Sequence, residues 1–434
     1  MKRTTASYTI HQPAAFKQQM LYWASRYNIC CFLDNHAYPS NYSNLDCLLA
    51  VDAFQFCFPD VNKLAALREF IDTTDDWIFG QIGYDIKDEI ASIPSEHIDG
   101  IGFPDLYFFQ PAMVLTLNNN ELTIASLSLS PEQIFAEIQN IDLSVVSITN
   151  NKTALNIQPR ITKDEYTVEV KKIKEHILRG DCYELNFCQE FFAENASIDP
   201  INVYQELTQL SPNPFACYYQ WNNKHLLCAS PERYLQKKGN RIISQPIKGT
   251  IKRDAVNEAN DLQLQEALLA SEKDKAENVM VVDLVRNDLS KVCEEGSVKV
   301  EELFGLYSFP QVHQLISTIS GQLKNGIDLS AILQASFPMG SMTGAPKQRV
   351  MELIERYEKT KRGLYSGAVG YITPNKDFDF NVVIRSILYN ANTHYLSYQV
   401  GGGITFYSDA EKEYEECLTK AAAIKTVLNS PTTI

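Results

Sequence analysis

Apolar residues along this chain switch between two spacings, and the switching predicts strands alternating with helices. Short apolar runs at residues 29–33, 48–51, 77–79 and 112–116 read as strands, while 61–70 reads as a short helix. Thr162 with Glu165 forms a capping box, after which Tyr166, Val170, Ile173 and Ile177 recur at helical spacing up to Gly180. A strand follows over 182–188. Two apolar-rich runs, 225–236 and 241–246, flank Lys237, Lys238, Gly239 and Asn240 and predict a β-hairpin. Beyond them, 364–372 and 380–386 read as neighbouring strands joined by a turn at 374–377, and 400–404 belongs to another strand. The alternation favours an α/β class. Turn signals occur at 118–120 and 149–152, the second a plausible boundary between residues 1–150 and 151–434.

The same periodicity groups charged residues. On the predicted helix over 271–288, Asp274 and Glu277 share a face. The final helix, opened by Ser408 and Asp409, has an apolar stripe of Tyr414, Cys417, Leu418, Ala421 and Ile424, which leaves Asp409, Glu413, Glu416 and Lys420 together on a neighbouring stripe. Carboxylates one turn apart on two helices suit Mg²⁺ if the helices meet across a cleft, and equally suit solvated faces. A tight turn at Gly239 or Asn240 brings Glu232 and Lys248 opposite or diagonal to each other at the open end of the hairpin. They are then a carboxylate and an amine facing one cleft, or a surface ion pair.

Three further segments are candidates for ligand contact. The Gly/Pro-rich loop 337–347 runs into a helix and can offer backbone N–H groups to an anion, although its spacing is not that of a Walker A loop. Arg385, inside an apolar run, is either an anion partner or half of a structural ion pair. Gly401 to Gly403 would let a ligand approach the backbone closely, and His313 is a core histidine or a ligand donor.

Composition narrows the class of partner. With 53 acidic against 39 basic residues the net charge is −14, which argues against binding to nucleic acid or an anionic membrane. A 434-residue chain with 45% hydrophobic content supports a large core. It has no apolar run of about 18 residues and no signal-peptide core at its start, so a cytoplasmic location is expected. The 10 cysteines lie scattered in apolar segments without a Cys-x-x-Cys pair, and buried reduced thiols are expected.

Taken together, residues from about 160 to 428 resemble the chorismate-utilising enzyme family. The resemblance rests on residues 230–233 (SPER), 246–250 (PIKGT), 276–278 (AEN) with 282–288 (VDLVRND), the loop 337–347, 365–367 (YSG), Ile384-Arg385, Gly401 to Gly403, and 413–416 (EYEE) with Lys420. The N-terminal part matches weakly, through 32–34 (FLD) and 82–85 (IGYD). The fold implied is of the α+β type: two packed antiparallel sheets with helices outside and the N-terminal segment interleaved with the rest, as in anthranilate synthase component I. Lysine at position 248, where anthranilate-forming members usually have alanine, resembles the branch that aminates chorismate at C4 for 4-aminobenzoate and folate synthesis. An anthranilate-forming member and a catalytically silent chorismate-binding subunit are the alternatives.

The resemblance also implies roles. Mg²⁺ would be held by Glu277 and Glu416, with Asp274 and Glu413 as direct or water-mediated support. Lys248 would attack C2 of chorismate, Glu232 would protonate the departing C4 hydroxyl, and ammonia would then attack C4 and expel the lysine. Arg385 and Tyr365 would hold the enolpyruvyl carboxylate. Gly249, Thr250, Thr343, Gly344, Gly401 and Gly402 would line the pocket, Lys420 would lie close to the ligand, and His313 would face the C4 side. Ammonia would come from a separate glutamine amidotransferase subunit, since this chain has no Gly-x-Cys-x-Gly nucleophile motif. Lysine must be neutral to attack, and a nearby metal or partial burial is expected to lower its pKa. Glu184 departs from the pattern, for aminating relatives commonly have glutamine there and water-adding relatives lysine. Residues 33–35 and 211–215 stand where feedback-regulated relatives form a tryptophan pocket.

Overall fold

In a computed structural model of the chain, residues 2–38, 42, 45–146, 155–254 and 256–429 are described. The boundary expected at 149–152 lies outside them. Among the described residues 20 strands join by antiparallel pairing into one continuous hydrogen-bonded network. Strand Ile29–Asp34 pairs with Phe215–Trp221, and Ile78–Ile82 pairs with Ala368–Ile372, so the first and last parts of the chain share this network.

The near-continuous apolar runs have a simple cause: their strands are buried on both faces. Side chains alternate across a strand, so Cys30 and Phe32 enter one hydrophobic cluster while Ile29 and Cys31 enter a second. Strand Cys47–Cys57 divides likewise, with Leu49 and Val51 on one side and Leu48 and Ala50 on the other. Helices cover the outer sides. Lys163–Leu178 begins at the expected capping box, with Thr162 accepting from the Glu165 N–H and Glu165 accepting from the Thr162 N–H, and buries Tyr166, Val170 and Ile173 in the first cluster. Glu272–Val292 buries Val282, Val285 and Leu289 in the second. All ten cysteines are buried and free.

Two expected strands are interrupted, and the interruptions face each other. The run 225–236 divides into Lys224–Ser230 and Arg233–Lys238 at Pro231 and Glu232, and the run 380–386 divides into Phe378–Asn381 and Ser386–Asn390. Lys224–Ser230 pairs with Ser386–Asn390, and Arg233–Lys238 pairs with Phe378–Asn381, so the ladder opens at one level on both sides. Proline has no N–H to donate there. The Val382 N–H bonds the Glu232 carbonyl across the opening at 3.0 Å. Arg385 therefore sits in a gap rather than within a strand, at φ 50°. Tyr365 likewise precedes its strand, in a turn that ends at Gly367.

Candidate active site

The hairpin turns at Gly239 and Asn240 as expected, with Lys238 opposite Arg241. The chain then enters strand Ile247–Lys252, whose Ile247 N–H donates to the Glu232 carboxylate, so Glu232 and the Lys248 strand are joined directly. Glu232 is 4% exposed, and its Oε1 accepts from Ser341 Oγ at 2.6 Å. Burial pushes its carboxyl up to about 7, against the opposing pull of Ser341, Lys248 and Arg385. At neutral pH a substantial fraction of Glu232 carries a proton.

Lys248 points to a cluster of carboxylates. Its Nζ donates to Glu184 Oε1 at 2.5 Å, and its side chain is 11% exposed. Burial would lower this amine, but Glu184, Glu277 and Glu232 outweigh it and raise the pKa. The expectation of a lowered pKa is thus reversed, because three carboxylates converge where the sequence reading placed one. Lys248 rests as an ammonium.

Helix Glu272–Val292 supplies Asp274 and Glu277 to this cluster. Asp274 lies against Gly249, and the Asn278 amide reaches the Lys248 carbonyl at 3.5 Å. Helix Ala410–Lys420 supplies Glu413, Glu416 and Lys420, which face Gly402 on strand Tyr395–Ile404. The two carboxylate-bearing helices therefore do meet across the strands that hold Lys248 and Gly402. Lys273 Nζ, a group the sequence reading passed over, stands 3.3 Å from Glu413 Oε1 and 3.8 Å from Glu277 Oε1. Lys420 Nζ binds Glu416 Oε1 at 2.8 Å and the Gly401 carbonyl at 3.0 Å.

These carboxylates fit a hard divalent cation in donor type. Glu277 Oε1 is buried with no hydrogen-bond partner among the described residues. Burial, reinforced by Glu184 and Glu416 and opposed by Lys248 and Lys273, pushes the Glu277 carboxyl up to about 7. Crowded carboxylates of this kind are relieved by a cation, and in the structure Lys273 and Lys420 supply that charge. As they stand, no three ligating groups among the described residues converge closely enough to hold a metal ion.

The loop 337–347 supports both acids. Ser341 binds Glu232, Thr343 Oγ1 donates to the Met339 carbonyl at 3.0 Å, and Gly344 pairs with Leu185. Only glycine fits at 344: φ is 149°, and a Cβ would stand 2.0 Å from the Glu184 carbonyl oxygen. Gly403 is equally constrained, since a Cβ there would stand 2.3 Å from Glu184 Oε1 and 2.9 Å from Lys248 Nζ.

The remaining expected residues are dispersed around this centre. Arg385 makes no ion pair or side-chain hydrogen bond among the described residues, and burial, opposed by Glu232, lowers its guanidinium to about 10. Tyr365 Oη lies 3.7 Å from Cys188 Sγ. Thr250 is exposed and accepts from Gln314 Nε2 at 3.2 Å. His313 is fully buried, and both ring nitrogens are engaged within the fold, at 2.9 Å from Asp261 Oδ1 and 2.8 Å from Ser308 Oγ. Asp34, Asn35 and Pro214 line a separate cavity of about 190 Å³, which none of Lys248, Glu184 and Glu277 borders.

The family described as chorismate binding enzyme matches residues 37–426. Aminodeoxychorismate synthase component 1 of Bacillus subtilis is 33% identical over 361 residues, covering 80% of this chain and 76% of that protein. An anthranilate synthase component I-like protein of Synechocystis is 34% identical over 378 residues, covering 86% and 76%. The crystal structure of anthranilate synthase component I from Streptococcus pneumoniae superposes with a TM-score of 0.75 at 25% identity, covering 90% of this chain and 94% of that one. On the match over residues 37–426, this chain belongs to the chorismate binding enzyme family.

Proposed function

We propose that this chain is a cytoplasmic transferase that aminates chorismate at C4, giving 4-amino-4-deoxychorismate, with ammonia supplied by a separate glutamine amidotransferase component. The observation that carries this reading is Lys248: an amine on a side chain only 11% exposed, on the strand whose Ile247 N–H holds Glu232. The similarity to aminodeoxychorismate synthase component 1 over most of both chains supports it, and that name supports a second component.

Lys248 Nζ attacks C2 as the ring double bonds shift and the C4–O bond breaks. Glu232, protonated near neutrality, gives its proton to the leaving hydroxyl, which departs as water. Ammonia then attacks C4, the double bonds return and the C2–N bond to Lys248 breaks. The unpaired guanidinium of Arg385, with Tyr365, suits the enolpyruvyl carboxylate. Glu277 and Glu416, with Glu413 and Asp274 in support, would hold Mg²⁺, which would supply Lewis acidity toward the ring carboxylate.

The test is product identity. The purified chain, incubated with chorismate, Mg²⁺ and ammonium, is expected to yield 4-amino-4-deoxychorismate by mass spectrometry. Anthranilate as the product would overturn the reading, and so would the absence of turnover.

A further inference from the structure

An ammonium cannot attack carbon, so the proton on Lys248 must leave before the bond to C2 forms. We propose that Glu184 is the residue that takes it. This inference rests on the proposed lysine chemistry and acts through Lys248, since Glu184 need not touch the substrate.

Several charged groups surround the pair. Glu277 and Lys273 come from helix Glu272–Val292, Glu416 and Lys420 from helix Ala410–Lys420, and Glu232 and Arg385 from the ladder opening. Of the carboxylates, only Glu184 hydrogen-bonds Lys248 among the described residues. Glu232 is committed to Ser341 and the Ile247 N–H. Glu184 is 2% exposed: its backbone pairs with Ala345, its Oε1 lies over Gly403, and its Oε2 is buried without a partner among the described residues. Passing the proton from Lys248 to Glu184 turns a charged pair into two neutral groups, so burial offsets part of the cost of the transfer.

The steps balance. The proton moves from Lys248 Nζ to the Glu184 carboxylate, leaving a neutral amine and a carboxylic acid. The amine bonds to C2 while Glu232 protonates the departing hydroxyl. When ammonia bonds to C4, Lys248 leaves as a neutral amine and recovers its proton from Glu184, while the product keeps the ammonium formed at C4. Glutamine at this position could accept a hydrogen bond but not the proton.

Glu184→Gln keeps the shape and an acceptor oxygen, and removes the basicity. Its kcat at pH 7 is expected to fall about 10²- to 10⁴-fold, with KM for chorismate within about twofold of wild type. Below about pH 7 its kcat is then expected to climb about tenfold per pH unit, as solvent takes over deprotonation, and above it to level off where wild type falls, because loss of the Glu232 proton cancels the gain. Glu184→Asp is expected to restore part of the rate and the wild-type pH profile. A wild-type pH profile in Glu184→Gln, or a loss confined to KM, would overturn the inference. Wild-type protein that makes no 4-amino-4-deoxychorismate would overturn the proposed function itself, an outcome separable from an active wild type with an unaffected variant.

Discussion

Replacing Ser341 by alanine isolates the group that holds the Glu232 carboxylate in its ionised form. Ser341 Oγ donates to Glu232 Oε1 at 2.6 Å, and this hydrogen bond opposes the burial that raises the carboxyl to about 7. A hydrogen bond to a charged group contributes about 1.5–3 kcal/mol. At about 1.4 kcal/mol per pKa unit, its loss raises Glu232 by about 1 to 2 units. If Glu232 is the general acid, kcat/KM falls tenfold per unit above its pKa, because only the protonated form can donate. The alkaline limb of wild type is expected near pH 7, and that of Ser341→Ala near pH 8 to 9. Initial rates of chorismate consumption at saturating ammonia from pH 5.5 to 9.5 would read both limbs. An unmoved limb, or one shifted to lower pH, would refute the reasoning that Glu232 donates the proton.

Other outcomes follow from the same geometry. Glu232 has a folded pKa of about 7 against an ordinary 4.5, so the folded state is not penalised below pH 4.5 and loses stability as pH rises through 7. Glu232→Gln removes that loss: it should be nearly inactive, yet more stable than wild type by about 1 kcal/mol at pH 5 and about 3 kcal/mol at pH 8 in urea unfolding. A variant less stable at pH 8 would contradict this. Gly344→Ala would drive a Cβ to 2.0 Å from the Glu184 carbonyl, and a loss of more than about 2 kcal/mol is expected by thermal unfolding. Glu277→Gln should weaken Mg²⁺ binding by about 10- to 100-fold in calorimetry, and unchanged affinity would remove Glu277 from the metal site.

The parts of this site legible in the sequence were those set by local chemistry. Gly239 and Asn240 announced the hairpin, Thr162 and Glu165 announced a helix start, and helical spacing placed Asp274 beside Glu277 and Glu413 beside Glu416. The ladder opening was less visible, though Pro231 inside an apolar run was a usable signal, since proline interrupts a central strand. Contacts across the fold gave no local signal. Glu184 lies 64 residues from Lys248, and Ser341 lies 109 residues from Glu232. Lys273 was hidden because an alternating acidic and basic run reads as a solvated helix face, whereas here it bridges Glu277 and Glu413. The protonation of Lys248 depended on all of these at once. Glu184, Glu277 and Glu232 come from three separate stretches of the chain, and together they outweigh the burial that lowers the lysine pKa.

The account stands on a covalent bond between Lys248 and the substrate ring. Protein incubated with chorismate and Mg²⁺ without ammonia, quenched in acid and weighed intact, is predicted to gain the mass of chorismate less one water, on the peptide that contains Lys248. Added ammonium should discharge it. Lys248→Ala should bind chorismate and show no gain. Turnover to 4-amino-4-deoxychorismate with no adduct, or an unchanged rate in Lys248→Ala, would contradict it.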